Sequence, residues 1–172
     1  MHADLIAALR SHLGPKGVVT DHETLAPHLT EWRGRYSGQT PVMALPATTE
    51  EVAAVVRLCA AHRQPITTQG GNTGLVGGQI PQGEVLLSLK RMNRIRSVDA
   101  DNDSLVAEAG AVLSAVQQAA AESNRLFPLS LASEGSATIG GLISTNAGGV
   151  HVLRLLQLHP NSEHAEDSRR AE

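Results

Sequence analysis

Five of the nine residues from Gly70 to Gly78 are glycine, in the run Gln69-Gly70-Gly71-Asn72-Thr73-Gly74-Leu75-Val76-Gly77-Gly78. An ordinary turn needs roughly one or two glycines. A run this dense lets the backbone curl until successive N–H groups point inward, a nest that holds phosphate oxygens without a basic side chain. Asn72 and Thr73 can add side-chain hydrogen bonds. Two familiar phosphate loops fail on detail. A P-loop requires Gly-Lys-Ser/Thr, and no lysine follows these glycines. A Rossmann fingerprint opens directly into a helix, whereas Gln79-Ile80-Pro81-Gln82-Gly83 breaks one. The segment reads as a phosphate cradle of another kind, with a bland surface loop as the alternative.

A second dense segment runs from Ser133 to Gly149: Ser133-Glu134-Gly135-Ser136-Ala137-Thr138-Ile139-Gly140-Gly141-Leu142-Ile143-Ser144-Thr145-Asn146-Ala147-Gly148-Gly149. Gly140-Gly141 can start a short helix or a close turn. Ser136, Thr138, Thr145 and Asn146 put polar atoms around a wall of little side-chain bulk. Such a wall suits a wide flat ligand; it equally suits a tight helix–helix contact of small residues.

The rest of the chain supplies a frame for these segments. Leu5, Ile6, Leu9 and Leu13 recur at helical spacing, ended by Gly14-Pro15. Residues 17–40 read as a surface segment with little periodicity, in which Thr30 to Arg35 either cover a ligand or decorate a loop. Val42 to Leu45 is a strand. Thr48 and Glu51 form a capping box for a helix with Val52, Val55, Val56 and Cys59 on one face. Pro65 to Thr68 then closes a β-α-β unit over residues 42–68. Strands follow at Val85–Leu89, Ile95–Val98 and Leu105–Ala109, with a polar turn at Asp99–Asp103. Gly110 turns the chain into a helix whose face is Val112, Leu113, Val116, Ala119 and Ala120. The predicted fold class is α+β: a small mixed, partly parallel sheet with flanking helices.

Composition excludes several functions. Aromatic residues make up 2% of the chain, net charge is −3, and the basic residues form no stripe beyond Lys90, Arg91, Arg94 and Arg96. Nucleic acid is therefore not the expected partner. The single cysteine, Cys59, sits in an apolar helical pattern and reads as a buried structural thiol. His151, His159 and His164 lack ligand spacing, so no metal site is expected. Met1 to Arg10 is amphipathic rather than signal-like, and no apolar run reaches the ~20 residues of a membrane span. The expected location is the cytoplasm.

Pro46-Ala47-Thr48-Thr49-Glu50-Glu51-Val52, the loop Gly70–Gly78, Ala132 to Gly141 and Ser144 to Arg154 together resemble the vanillyl-alcohol-oxidase (PCMH-type) FAD-binding domains. The branch most similar includes D-2-hydroxyglutarate dehydrogenase, D-lactate dehydrogenase and the FAD subunit of glycolate oxidase. The resemblance implies that Gly70, Gly71, Asn72, Thr73, Gly74, Gly77 and Gly78 wrap the FAD pyrophosphate. It implies likewise that Ser136, Thr138, Ile139, Gly140, Gly141, Thr145, Asn146 and Gly148 line the flavin and ribityl chain. Some relatives tether the flavin through a histidine after the Gly-Gly pair. Asn72 stands there in this chain, and an amide forms no such bond, so noncovalent FAD is expected. The implied reaction is oxidation of a D-2-hydroxy acid to a 2-oxo acid.

The resemblance covers about Pro41 to Arg154 and then stops. After Arg154 the relatives continue with Tyr-Gly and later a substrate cap, whereas this chain turns polar from Leu155 to Glu172. The expected organisation is an N-terminal helix and surface segment (1–40), a partial PCMH-type FAD-binding domain (41–154) and a disordered tail (155–172). A chain cut short in this way would bind FAD yet be catalytically incomplete, with no catalytic residue of its own. The alternatives are a flavin- or nucleotide-binding module that needs a partner chain, and a fragment without function.

Overall fold

The structure, a computed structural model, describes residues 2–150. The expectations for His151 to Arg154, for His159 and His164, and for the tail from Leu155 lie outside the described residues. The described chain forms two compact units, one up to Asn93 and one from Arg94 onward.

In the first unit, helix α1 (His2–Leu13) buries Leu5, Leu9 and Leu13 along one stripe. Gly14, at φ 67°, ends it, and Pro15 opens a short 3-10 turn. Strand β1 (Val18–Val19) and the short helix α2 (His22–Leu25) follow. The expectation of a surface segment over 17–40 does not hold throughout: Val18 and Leu25 are core residues, and Glu31 is buried as well. Elements of two and four residues are too short to display a period in sequence.

Strand β2 (Met43–Ala44), helix α3 (Thr49–Ala61), strand β3 (Ile66–Gln69) and strand β4 (Val85–Ser88) complete the unit. The capping signal is real but offset. Thr48 Oγ1 accepts from the Glu51 N–H at 3.2 Å, while the Glu51 carboxylate accepts from Ala47 N at 2.7 Å, not from Thr48 N. Val56 is 47% exposed, and Ala54 takes the expected core place beside Val55 and Cys59. The sheet order is β1-β2-β4-β3, with β1 antiparallel and the other three parallel. Thus β2 and β3 run parallel as expected, with β4 inserted between them.

Both faces of this sheet are covered, which explains why Val42–Leu45 and Val85–Leu87 are unbroken apolar runs. Val42, Ala44, Val85 and Leu87 pack with α1 and α3 on one face. Met43 and Leu86, one residue out of phase, pack with Leu25 on the other. Each fully buried leucine contributes roughly 2 kcal/mol relative to exposure.

The second unit contains a two-stranded antiparallel sheet, β5 (Ile95–Asp99) with β6 (Ser104–Ala107), bulged between Ile95 and Ser97. Helix α4 (Leu113–Glu122) buries Leu113, Val116 and Ala120. Helix α5 (Ile139–Ser144) packs Leu142 against Leu113, Leu129 and Ala137. Glu108 lies almost fully buried just after β6, where its carboxylate accepts from the backbone N–H of Arg94 and from the guanidiniums of Arg94 and Arg96. Those bonds, led by the Arg94 side chain, hold its carboxyl down at about 2. Val106 and Ile143 remain about half exposed on an open apolar groove of about 360 Å³ within this unit.

Candidate functional site

The first glycine loop leaves the carboxyl end of β3. Strands β2, β3 and β4 are parallel, and Gln69 at the end of β3 is in register with Ser88 at the end of β4. The loop therefore starts at the carboxyl edge of a parallel sheet, where open α/β sheets hold their ligands.

Side chains outside the glycine run fix its shape. Gln69, 3% exposed, donates to the carbonyls of His28 (2.9 Å) and Gln79 (3.0 Å). Its Oε1 is thereby left to accept, and His28 Nδ1 lies 2.6 Å away. Asn72 occupies the left-handed region at φ 53°, which asparagine tolerates better than most residues. Its amide donates to Thr30 O at 2.9 Å, and its Oδ1 accepts from Gln79 Nε2 at 3.1 Å. Gln79 Nε2 also donates to Gly74 O at 2.9 Å. Gly77, at φ 78°, lies against the Tyr36 ring, which a Cβ would meet at 2.7 Å.

These bonds aim the loop. In a planar trans peptide the carbonyl and the following N–H point in opposite directions. Gln79 holds Gly74 O, Arg33 donates to Leu75 O, and Ile80 N donates to Gly77 O at 3.0 Å. The N–H groups of Leu75, Val76 and Gly78 are consequently turned away from the side chains that grip the loop. Among the described residues, none of the backbone N–H groups from Gly71 to Gly78 finds an acceptor. A run of unmade donors is costly if water is excluded and nothing anionic arrives. Ser88 Oγ, at the neighbouring strand end, is likewise the buried side-chain polar atom left without a partner among the described residues.

The second segment behaves differently. Gly140 donates to Ala109 O at 2.7 Å, and Ile139 N to Ala111 O at 2.9 Å. A Cβ on Gly140 would come within 2.9 Å of the Ala109 Cβ and 3.0 Å of its carbonyl oxygen. Thr138 is buried at the start of α5, and its side chain makes no capping bond. At the other end, Asn146 N donates to Ile143 O and Ala147 N to Leu142 O, with Asn146 left-handed at φ 49°. This is a Schellman closure. Thr145 Oγ1 turns back to Gly141 O at 2.9 Å.

The sequence-derived residues thus divide. Gly70, Gly71 and Thr73 are half-buried around the open loop, Gly78 is exposed there, and Asn72, Gly74 and Gly77 are pinned within it. Gly140, Thr145 and Asn146 are engaged in building α5. Gly141 stands in its first turn, Ile139 lines the apolar groove, Ser136 is exposed, and Gly148 is half-buried. Sequence reading assigned no role to Gln69, Gln79, Tyr36 and Ser88, and left Arg33 within the stretch Thr30 to Arg35 that either covers a ligand or decorates a loop. Of the unassigned residues, only Gln69, at the end of β3 and immediately before the glycines, offered a signal.

A free-donor loop at this sheet edge suits an anionic group. The family model described as "FAD binding domain" matches residues 40–157. The chain belongs to that FAD-binding family. Its cofactor is FAD, and its mixed sheet with flanking helices is the PCMH-type fold. The domain is 39% identical over 160 residues to a probable D-2-hydroxyglutarate dehydrogenase, mitochondrial, of Oryza sativa subsp. indica, covering 92% of this chain and 29% of that protein. It is 41% identical over 152 residues to the D-2-hydroxyglutarate dehydrogenase, mitochondrial, of Bos taurus, covering 88% and 28%. Among solved structures, an alkyldihydroxyacetonephosphate synthase matches with a TM-score of 0.78 at 20% identity, over 87% of this chain and 30% of that one. A p-cresol methylhydroxylase with substrate bound matches at 0.66 and 24%, over 82% and 29%. These structural likenesses show the fold. The FAD-binding chain spans under a third of the length of the relatives it matches.

One expectation is overturned. The cytoplasmic location rested on the lack of a signal-like start and of a membrane span, and the matched dehydrogenases are named as mitochondrial proteins. A start without secretory character does not distinguish the cytoplasm from an organelle. No helix among the described residues is long and apolar enough to cross a membrane, and none of them form a cluster of three or more potential metal ligands.

Proposed function

We propose that this domain binds FAD noncovalently, with Gly70–Gly78 receiving the pyrophosphate, in a flavin-dependent oxidoreductase that converts a D-2-hydroxy acid to a 2-oxo acid. The observation that carries the FAD site is the run of N–H groups from Gly71 to Gly78 without acceptors, aimed by three held carbonyls. Ser136, Thr138, Ile139, Gly140, Gly141, Thr145, Asn146 and Gly148 are proposed to contribute the small-residue wall for flavin and ribityl chain. Bound FAD would supply the two-electron acceptor that no side chain of this composition provides. The domain's own part is to bind and orient it. Asn72 supports noncovalent attachment twice over: an amide makes no tether, and its donors and acceptor are already spent on Thr30 and Gln79.

The choice of a D-2-hydroxy acid rests on the D-2-hydroxyglutarate dehydrogenases among the relatives, and applies to the full-length type of protein they represent. A second reading is a flavin-binding module that works with a partner chain. Purified protein should be yellow and should release its flavin into the supernatant on acid or thermal denaturation. Colourless protein that takes up no FAD on reconstitution contradicts the FAD reading. Activity with D-2-hydroxyglutarate that appears only on adding a separate cap-bearing chain selects the second reading.

A further inference from the structure

The glycine run carries no charged side chain, yet a diphosphate brings two negative charges or more. The structure delivers a cation from elsewhere. Glu31 is 1% exposed, and its carboxylate accepts from the N–H groups of Arg33 and Arg35, both at 2.7 Å. Its own backbone closes the same turn, with Gly34 N donating to Glu31 O at 2.8 Å and Glu31 N to Tyr36 O at 3.1 Å. Burial pushes the Glu31 carboxyl up, but the N–H groups and the charges of Arg33 and Arg35 outweigh it and keep the group below its usual range. An ionised carboxylate is thus the post around which residues 31–36 are wound.

From that turn the Arg33 guanidinium lies 5.9 Å above the Trp32 ring centre, and its Nε is 3.8 Å from Glu31. Its terminal nitrogen donates to Leu75 O, in the middle of the glycine loop. Holding that carbonyl turns the Val76 N–H the opposite way. Glu31 offsets one of the two guanidiniums, Arg33 and Arg35, so the turn as a whole keeps a positive charge. Trp32 at 71% exposure and Val76 at 83% remain open beside these groups.

We propose that Arg33 is a positioning residue for the FAD diphosphate: it aims the Val76 N–H by holding Leu75 O and brings positive charge to a loop that has none. The proposal rests on the reading of Gly70–Gly78 as the pyrophosphate site. It also gives residues 30–36 a role as one wall of that site.

The test measures dissociation constants of the full chain for FAD, for ADP, which shares the diphosphate, and for riboflavin, which lacks it. Arg33→Met should weaken FAD and ADP about tenfold or more, through the lost positive charge and the Leu75 carbonyl no longer held. Riboflavin binding should stay unchanged, which a merely structural residue would not achieve. Arg33→Lys keeps the charge but not the fork, and should fall between. Met-variant affinity for ADP equal to wild type, or an equal loss for riboflavin, overturns the proposal while the FAD reading stands. Wild-type protein that binds neither FAD nor ADP overturns the FAD reading itself. Should Arg33→Met fail to fold, Arg33→Lys decides, and wild-type ADP affinity in that variant overturns the proposal.

Discussion

The two glycine-rich segments look alike as sequence and differ in what their backbones do. Among the described residues the N–H groups from Gly71 to Gly78 find no acceptor, and the loop's carbonyls are the groups held, by Gln79, Arg33 and Ile80. In the segment from Ser133 to Gly149 many N–H groups are already donated within the unit, to Ala109, Ala111, Ile143 and Leu142 among others. One segment spends its glycines on donors that remain available. The other spends Gly140 on close approach of α5 to Ala109. Glycine density alone therefore does not reveal a ligand site; the fate of the N–H groups does.

The sharpest way to break this contrast is at Gly140. Gly140→Val would drive a side chain into the Ala109 carbonyl and should cost about 3 kcal/mol, read as a lowered denaturation midpoint. An unchanged midpoint would remove the argument that this glycine serves packing. Gly78 makes the opposite prediction. A Cβ there meets nothing within 4 Å, and the position does not require positive φ. Gly78→Val should leave the midpoint alone yet weaken FAD about tenfold, because the new side chain occupies the open side of the loop. Equal FAD affinity would place the ligand elsewhere.

Ser88 sharpens the comparison further. Its buried hydroxyl has no partner among the described residues, so Ser88→Ala should stabilise the protein without FAD by about 1 kcal/mol. A loss of stability would mean the hydroxyl is satisfied after all. The effect at Glu108 is confined to acid. Its carboxyl is lowered from 4.5 to about 2, so its contribution is complete above about pH 4.5 and is lost as pH falls towards about 2. Glu108→Gln should flatten that part of the midpoint-versus-pH curve, leaving the residual slope to Asp21, Glu31 and Asp99, which are also lowered. An unchanged slope would show that the carboxylate is not held as described.

Much of this fold was legible because its strands and long helices carry their own period. Leu5, Leu9 and Leu13, or Leu113, Val116 and Ala120, declare a face without tertiary help. The insertion of β4 between β2 and β3 left no local trace, since pairing order depends on connections rather than on strand composition. The site was legible at the level of backbone freedom and not at the level of what restrains it. Arg33 and Tyr36 reach the loop from about forty residues upstream, across a turn organised by one buried carboxylate. No spacing rule connects Glu31 to Leu75; only the folded chain does.

Backbone amide NMR on titration with ADP addresses the central claim most directly. The N–H resonances of Leu75, Val76 and Gly78 should move downfield in saturable fashion with a shared dissociation constant, while those of Gly140 and Asn146, already bonded to carbonyls, should not. Saturable shifts confined to residues outside Gly71–Gly78 would contradict the account.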